Sequence, residues 1–383
     1  MVQKQNTIAV RGGLNIDKQF GSVIPPIIPS TSYSWYEVNK PREFDYGRRS
    51  NPSRHFVEQT IAELEGGADA ILTNTGMSAI HLLCVSLLTP NDTIIAPHDC
   101  YGGSYRLFSS LSQRGLFKVL FVDQSDTQAL KQALSQKPKL VLIESPSNPL
   151  LRVVNIQSIA SQAHQAGALV AVDNTFMSPI LQQPITLGAD IVIHSCTKYL
   201  NGHSDLLAGI LIFKQQQLAD EIAWWANNIG TANSAFDSYL LLRGLKTLGA
   251  RIQLQQKNAL NIVAFLLNHP KVSRVYHPSL ATNQGHEIAC KQQTGFGAML
   301  SFELNTDEKN IPKFIQSLKL FTLAQSLGGV ESLICHPASM THSGMSKAAR
   351  EVAGVSDTLL RLSVGLEENT DQISDLSNAL STI

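Results

Sequence analysis

The side chain in this sequence best suited to covalent chemistry is the amine of Lys198. It lies in Ser195-Cys196-Thr197-Lys198-Tyr199-Leu200-Asn201-Gly202-His203, directly after the apolar run Ile191-Val192-Ile193-His194. That order predicts a buried strand with the lysine emerging just past its end, beside the hydroxyls of Ser195 and Thr197. Burial and neighbouring charge there would favour the neutral, nucleophilic amine that forms a Schiff base. Taken alone, the same pattern also fits a surface lysine beside a turn. A second stretch shifts the balance: Ala168-Leu169-Val170-Ala171-Val172-Asp173-Asn174-Thr175 is another apolar run, and it ends in a carboxylate. Pyridoxal phosphate needs such a pair, a lysine for its aldehyde and an Asp for its pyridinium nitrogen.

The elements that must position these groups follow an alternating pattern. From about residue 56 the chain reads as helix and strand in turn, which argues for α/β architecture. Predicted strands include 70–73, 93–96, 118–122, 140–143, 170–172, 191–193 and 209–213, mostly continuous apolar runs. Such runs fit a largely parallel sheet covered by helices on both faces. Ligand groups in these sheets gather beyond the strand C-termini. Asp99, Tyr101, Glu144, Asn148, Asp173 and Lys198 all fall at or after such ends. The strand Ala70-Ile71-Leu72-Thr73, the turn Asn74-Thr75-Gly76 and the helix from Met77 place bare backbone N–H groups where a phosphate fits. The turn matches no Walker or Rossmann fingerprint, so a plain strand-to-helix turn stays open.

Upstream, Val23-Ile24-Pro25-Pro26-Ile27-Ile28-Pro29 is expected to run extended. After it, Tyr46, Arg48 and Arg49 sit on a loop closed by Asn51-Pro52, which suits an anion site or a solvated basic turn. The apolar pattern predicts one long helix over 236–268, leading into a smaller α/β unit with strands near 298–303 and 359–364. Arg361 lies in the second of these, where an arginine among apolar residues needs an acidic partner or an anionic ligand. No internal repeat appears.

Composition excludes several classes of function. The chain has 383 residues, 43% hydrophobic and 16% charged, with a formal net charge of +0. Nothing in that balance favours nucleic acid or an anionic membrane as partner. Five cysteines, at 84, 100, 196, 290 and 335, show no CxxC pair, so a reducing cytoplasm fits best. No signal-peptide core or membrane-length apolar run is evident. His336 and His342 lack accompanying carboxylates, and His286-Glu287-Ile288-Ala289-Cys290 has Cys where a zinc helix needs its second His, so no metal site is expected.

Six stretches together carry a resemblance. They are Asp45-Tyr46-Gly47-Arg48-Arg49-Ser50-Asn51-Pro52, Thr73-Asn74-Thr75-Gly76-Met77-Ser78, Asp99-Cys100-Tyr101-Gly102-Gly103, Glu144-Ser145-Pro146-Ser147-Asn148-Pro149, Val172-Asp173-Asn174-Thr175 and Ser195-Cys196-Thr197-Lys198-Tyr199. Over nearly its whole length the chain closely resembles the Cys/Met-metabolism family of pyridoxal-phosphate enzymes. The resemblance implies the aspartate-aminotransferase-like fold type I: an N-terminal arm (1–60) reaching a neighbouring subunit, a cofactor-binding large domain (61–256) and a C-terminal small domain (257–383). It makes Lys198 the Schiff-base lysine, Asp173 the ring-nitrogen partner, and Tyr101 a catalytic residue stacked on the ring with its phenol placed for proton transfer. Gly76, Met77, Ser195 and Thr197 would hold the phosphate, joined by Tyr46 and Arg48 of the neighbouring subunit. Substrate contacts would come from Arg361 at the α-carboxylate, Asn148, Ser326 and Gln325, with Arg49 and Arg106 at a distal carboxylate. The family also implies a homotetramer built as a pair of dimers.

Residues 223–230 and 320–332 are most similar to bacterial members that carry out γ-replacement. The implied reaction joins O-succinylhomoserine (or O-acetylhomoserine) to L-cysteine, giving L-cystathionine and succinate in methionine biosynthesis. Alternatives are sulfhydrylation by sulfide, γ-elimination of cystathionine, or a non-catalytic module keeping the fold. One position departs from those members, which typically carry Glu before the serine at 326; here it is Gln325. An amide hydrogen-bonds but brings no charge. The family's β-lyases carry Tyr there, so Gln325 does not point to them.

Overall fold

The computed structural model describes residues 3–341, 347, 350 and 353–383. Its first sheet has seven strands: β1 (Asp69–Thr73), β2 (Thr93–Pro97), β3 (Lys118–Val122), β4 (Leu140–Glu144), β5 (Leu169–Asp173), β6 (Ile191–Ser195) and β7 (Gly209–Phe213). They lie in the order β1-β7-β6-β5-β4-β2-β3. The pairs β2/β3, β2/β4, β4/β5 and β5/β6 are parallel, and β7 runs antiparallel to both β1 and β6. Apolar runs form these strands because both faces are covered. Ile95, Val141, Val170, Val192 and Ile210 pack into one core cluster, while their neighbours Ile94, Leu140, Ala171, Ile191 and Leu211 pack into another. That alternation is the period of two expected of a strand.

A second sheet holds β8 (Val272–Tyr276), β9 (Met299–Leu304), β10 (Thr322–Leu323), β11 (Leu333–Cys335) and β12 (Leu359–Ser363), ordered β10-β11-β12-β9-β8. Only β10 and β11 pair in parallel. The sequence pattern shows β9 and β12 but not β8, an edge strand whose Ser273 and Arg274 face solvent.

Helix α1 spans Gln5–Arg11, and α2 spans Pro52–Glu65. The latter starts at an Asn51 side chain that accepts from the Arg54 N–H and stops at Gly66, whose φ of 76° is left-handed. The expected long helix over 236–268 is two helices, Ala235–Leu245 and Leu248–Leu267. The apolar period runs through the break, which is why sequence alone joins them. What breaks the helix is tertiary. A Cβ at Gly244 would lie 2.4 Å from the Asn201 carbonyl oxygen, so the first helix ends against the loop that follows Lys198. Arg251, 4% exposed, donates from Nη2 to Gly244 O at 2.9 Å, from Nε to Thr247 Oγ1 at 3.0 Å and from Nη1 to Tyr199 O at 2.8 Å. The helix break and the lysine loop are therefore held by one guanidinium.

Behind the sheet, the end of α2 meets β6. Glu65 Oε1 and His194 Nε2 are 2.6 Å apart with side chains 0% and 1% exposed, and the same Oε1 accepts from Asn174 Nδ2 at 2.9 Å. Removing one member of a buried ionisable pair strands the other. His194→Phe is expected to lower unfolding stability by about 3–5 kcal/mol, read as a shift of the urea midpoint at constant slope; an unshifted midpoint would show that the pair adds nothing.

Candidate active site

Loops after β1, β2, β4, β5 and β6 converge with the second sheet on a cavity of about 690 Å³. Asp173 ends β5 and Glu144 ends β4, paired in register, while Lys198 follows β6. Strand direction thus explains why residues far apart in sequence meet. Asp173 and Ser195 face the cavity, and Asn174 and His194, one residue away, face the buried Glu65.

Lys198 donates from Nζ to Ser326 Oγ at 2.6 Å. Burial, and then the positive Arg361, pull its amine down to a pKa of about 8. Ser326 has a φ of 96°, a left-handed conformation that costs a non-glycine residue free energy. Arg361 is 3% exposed and donates from Nη1 to Asn148 Oδ1 at 2.8 Å and from Nη2 to the Ser326 carbonyl at 2.9 Å. Among the described residues its Nε has no hydrogen-bond partner. Lys198, Asn148, Ser326 and Arg361 all line the cavity, as do Arg106 and Gln325.

The Asp173 carboxylate accepts from Thr175 N at 3.0 Å and from Thr175 Oγ1 at 2.5 Å. Burial pushes its pKa up, opposed by the Thr175 hydrogen bonds and by His194. Burial also pushes Glu144 well up, reinforced by the adjacent Asp173. A cation placed at Asp173 would relieve that cost, as a pyridinium N–H does. Sequence alone assigns no role to Thr175 or Glu144. The signal for Thr175 was its hydroxyl two residues after the carboxylate, a spacing that lets it fold back.

Helix α3 (Gly76–Leu87) begins in the cavity. Thr75 Oγ1 caps the Ser78 N–H at 2.9 Å. The N–H groups of Gly76 and Met77 have no acceptor within the helix, the usual condition of a first turn and a ready anion site. Close packing demands glycine here: a Cβ at Gly76 would lie 3.0 Å from Ser195 Cβ, and one at Gly209 would lie 2.6 Å from Gly76 N. Thr197 Oγ1 accepts from Ala208 N at 3.1 Å, which fixes its hydroxyl. These residues fit a phosphate, and with Asp173 and Lys198 they fit pyridoxal phosphate.

Tyr101 stands at the start of α4 (Gly102–Gln113), 44% exposed, with its N–H donating to Glu144 Oε2 at 2.8 Å. A Cβ on Gly103 would lie 2.5 Å from Tyr101 Cε1, so the ring position requires that glycine.

The structure does not bring every expected residue to this cavity. Tyr46 is 48% exposed, and Arg48 donates to Asn227 Oδ1 at 3.2 Å with its guanidinium 5.5 Å from the Tyr46 ring centre. Arg49 pairs with Asp45 at 3.0 Å on the surface. None of the three lines the cavity of its own chain. His336 contacts Ser339 Oγ and the Asp357 carbonyl, and His342 lies outside the described residues. Among the described residues no group of three or more His, Cys, Asp or Glu side chains is placed to hold a metal ion.

Known proteins resemble this chain along its length. The family described as Cys/Met metabolism PLP-dependent enzyme matches residues 6–381. Cystathionine γ-synthase of Escherichia coli (strain K12) is 62% identical over 378 residues, covering 99% of this chain and 98% of that protein. A cystathionine β-lyase of Lactococcus lactis subsp. cremoris is 46% identical over 375 residues, covering 98% of each. The crystal structure of cystathionine γ-synthase from Xanthomonas oryzae pv. oryzae, in complex with aminoacrylate and cysteine, matches with a TM-score of 0.98 at 49% identity, covering 100% of this chain and 98% of that one. Matched along its length in both sequence and backbone, the chain belongs to the Cys/Met metabolism family of enzymes that depend on pyridoxal phosphate.

Proposed function

We propose that this enzyme carries out γ-replacement on O-succinylhomoserine or O-acetylhomoserine, using L-cysteine to give L-cystathionine, a step toward methionine. The carboxylate leaves as the Cγ–O bond breaks, and a Cγ–S bond forms. The structural observation that carries the reading is the Lys198–Ser326–Arg361 arrangement, an amine of lowered pKa beside a buried guanidinium. Similarity to the Escherichia coli protein favours γ-replacement over the other reactions of the family.

When bound, pyridoxal phosphate supplies an aldehyde for the amine and a cationic ring that draws electrons from the substrate. Asp173, held by Thr175, would keep the proton on the ring nitrogen. Gly76, Met77, Ser195 and Thr197 would hold the phosphate, and Tyr101 would cover the ring. Arg361, steadied by Asn148 and the Ser326 carbonyl, would take the α-carboxylate in the bidentate manner suited to guanidinium. Lys198, free to lose its proton near neutral pH, would move protons at Cα and off Cβ. Arg106 would meet the distal carboxylate of a succinyl group, joined by Arg49 only if a neighbouring subunit supplies it from the same loop as Tyr46 and Arg48, and Gln325 would hydrogen-bond the incoming amino acid without adding charge.

We extend the reading to a homotetramer built as a pair of dimers, each completing the other's sites with Tyr46 and Arg48. Their position outside the cavity of their own chain, on an N-terminal segment that also exposes Phe20, Trp35 and Val38, supports it. Five free cysteines, four of them buried, support a cytoplasmic location.

Three tests follow from this reading. Product analysis with O-succinylhomoserine and either cysteine, sulfide or no thiol is expected to give mainly cystathionine in the first case; rapid cystathionine cleavage with none formed would reject γ-replacement. Chains carrying Lys198→Ala and Arg48→Ala, each impaired alone, are expected to regain activity when dissociated and reassembled together, because each mixed dimer holds one intact site. No recovery would remove the shared site. In cofactor-stripped protein the Lys198 amine is protonated below and neutral above about 8, and only the neutral form attacks an aldehyde. Covalent uptake of pyridoxal phosphate, followed by absorbance, should therefore rise with pH to a plateau with its midpoint near that value; a midpoint at ~10, as for a free lysine, would show that burial and Arg361 do not act on it.

A further inference from the structure

Arg54 lies outside the cavity of its own chain and has no part in the chemistry assigned above. It sits in the first turn of α2, only 4% exposed, where the positive end of the helix dipole and the loss of water both act against a cation. Its partners account for its presence. Nη1 donates to the Gly47 carbonyl at 3.0 Å and to the Asn233 carbonyl at 3.4 Å, and Nη2 donates to the Arg48 carbonyl at 3.3 Å. Nε stands 3.6 Å from Glu58 Oε1, one helical turn on, and that oxygen accepts the Leu72 N–H of β1 at 2.9 Å. One buried guanidinium thus ties the loop that carries Tyr46 and Arg48 to the helix and the strand behind it.

We propose that Arg54 is a positioning residue for the neighbouring subunit's site: by holding the Gly47 and Arg48 carbonyls it aims the Arg48 side chain, and Tyr46 beside it, at the cofactor phosphate of the next chain. The inference rests on the reading that Tyr46 and Arg48 complete a neighbouring site. The two carbonyls belong to the planar peptide units on either side of the Arg48 Cα, so fixing both fixes the direction in which that side chain leaves the loop. A guanidinium fork spans two carbonyls, whereas a lysine ammonium is a single point. The N-terminal arm has ties of its own. Asn51 Nδ2 donates to the Ile28 carbonyl at 2.8 Å, Ser53 Oγ accepts the Ile28 N–H at 2.9 Å, and the Gly47 N–H donates to the Thr31 carbonyl at 2.7 Å. None of these passes through Arg54, which lets its effect on the loop be tested with the arm still attached.

The test asks which chain rescues Arg54→Met when full-length chains are dissociated and reassembled with pyridoxal phosphate. Alone, Arg54→Met is expected to lose activity and to hold pyridoxal phosphate roughly tenfold less tightly, as loss of hydrogen bonds from a charged group would. Mixed with Lys198→Ala it should regain activity to the level that Arg48→Ala reaches in the same mixture, because one site then has an intact lysine and an intact loop. Mixed with Arg48→Ala it should regain nothing, since both sites then face a damaged loop. Recovery with Arg48→Ala, no recovery with Lys198→Ala, or wild-type activity and cofactor retention in Arg54→Met would each overturn the proposal. A residue that merely supports the fold of its own chain gives no recovery with Lys198→Ala. If Arg54→Met does not assemble, Arg54→Lys carries the same comparison, because it keeps a charge beside Glu58 but cannot span both carbonyls; failure of rescue there too would reduce Arg54 to a folding role. Arg48→Ala mixed with Lys198→Ala is the control: if that pair does not recover, the shared-site reading fails and this inference falls with it.

Discussion

Most of the site depends on a buried guanidinium held by groups that carry no charge. Arg361 lies on β12 between Cys335 of β11 and Ser301 of β9, and its contacts are an amide oxygen and a peptide carbonyl. Neutral acceptors satisfy its donors without cancelling its field. Burial, and then that field, bring the Lys198 amine toward neutrality. The same uncancelled charge is what an incoming carboxylate would meet. Had the protein paired Arg361 with an acid, both effects would be lost.

The two sheets divide the labour. The first supplies strand ends pointing one way, so that Glu144, Asp173 and the Lys198 loop arrive side by side without any long-range sequence signal. The second supplies Arg361 and Ser326 across the gap. Holding the halves in register falls to polar contacts with buried partners: Gln182 Oε1 accepts from Gln292 and Gln293, and Gln255 donates to the Gly329 carbonyl. Such contacts are directional where apolar packing is not, which suits a site whose donors must meet within tenths of an ångström.

The strands of the first sheet were legible because uninterrupted apolar runs have few other homes. Lys198 and Asp173 were legible because charged side chains at the ends of such runs call for an explanation. What escaped was set by tertiary contact. The break near Thr247 leaves no mark in the apolar period, since it comes from Gly244 abutting Asn201 and from the reach of Arg251. Strand β8 alternates too weakly to stand out at an edge. Glu144 was visible as a strand-end carboxylate, but its partner is the backbone N–H of Tyr101, which no residue pattern encodes. Tyr46 and Arg48 stood out by residue type, and nothing local says which chain they serve.

Ser326 shows how position and side chain can make opposite demands. Its backbone adopts a conformation in which glycine is at ease, while its hydroxyl accepts a hydrogen bond from Lys198 Nζ and its carbonyl accepts one from the Arg361 N–H. A redesign guided by backbone comfort alone would write glycine there and gain stability. It would keep the carbonyl, erase the hydroxyl, and leave the amine without the neighbour that aims it. Stabilising this loop and preserving its chemistry are therefore separate problems, and only one of them is visible in a plot of backbone angles.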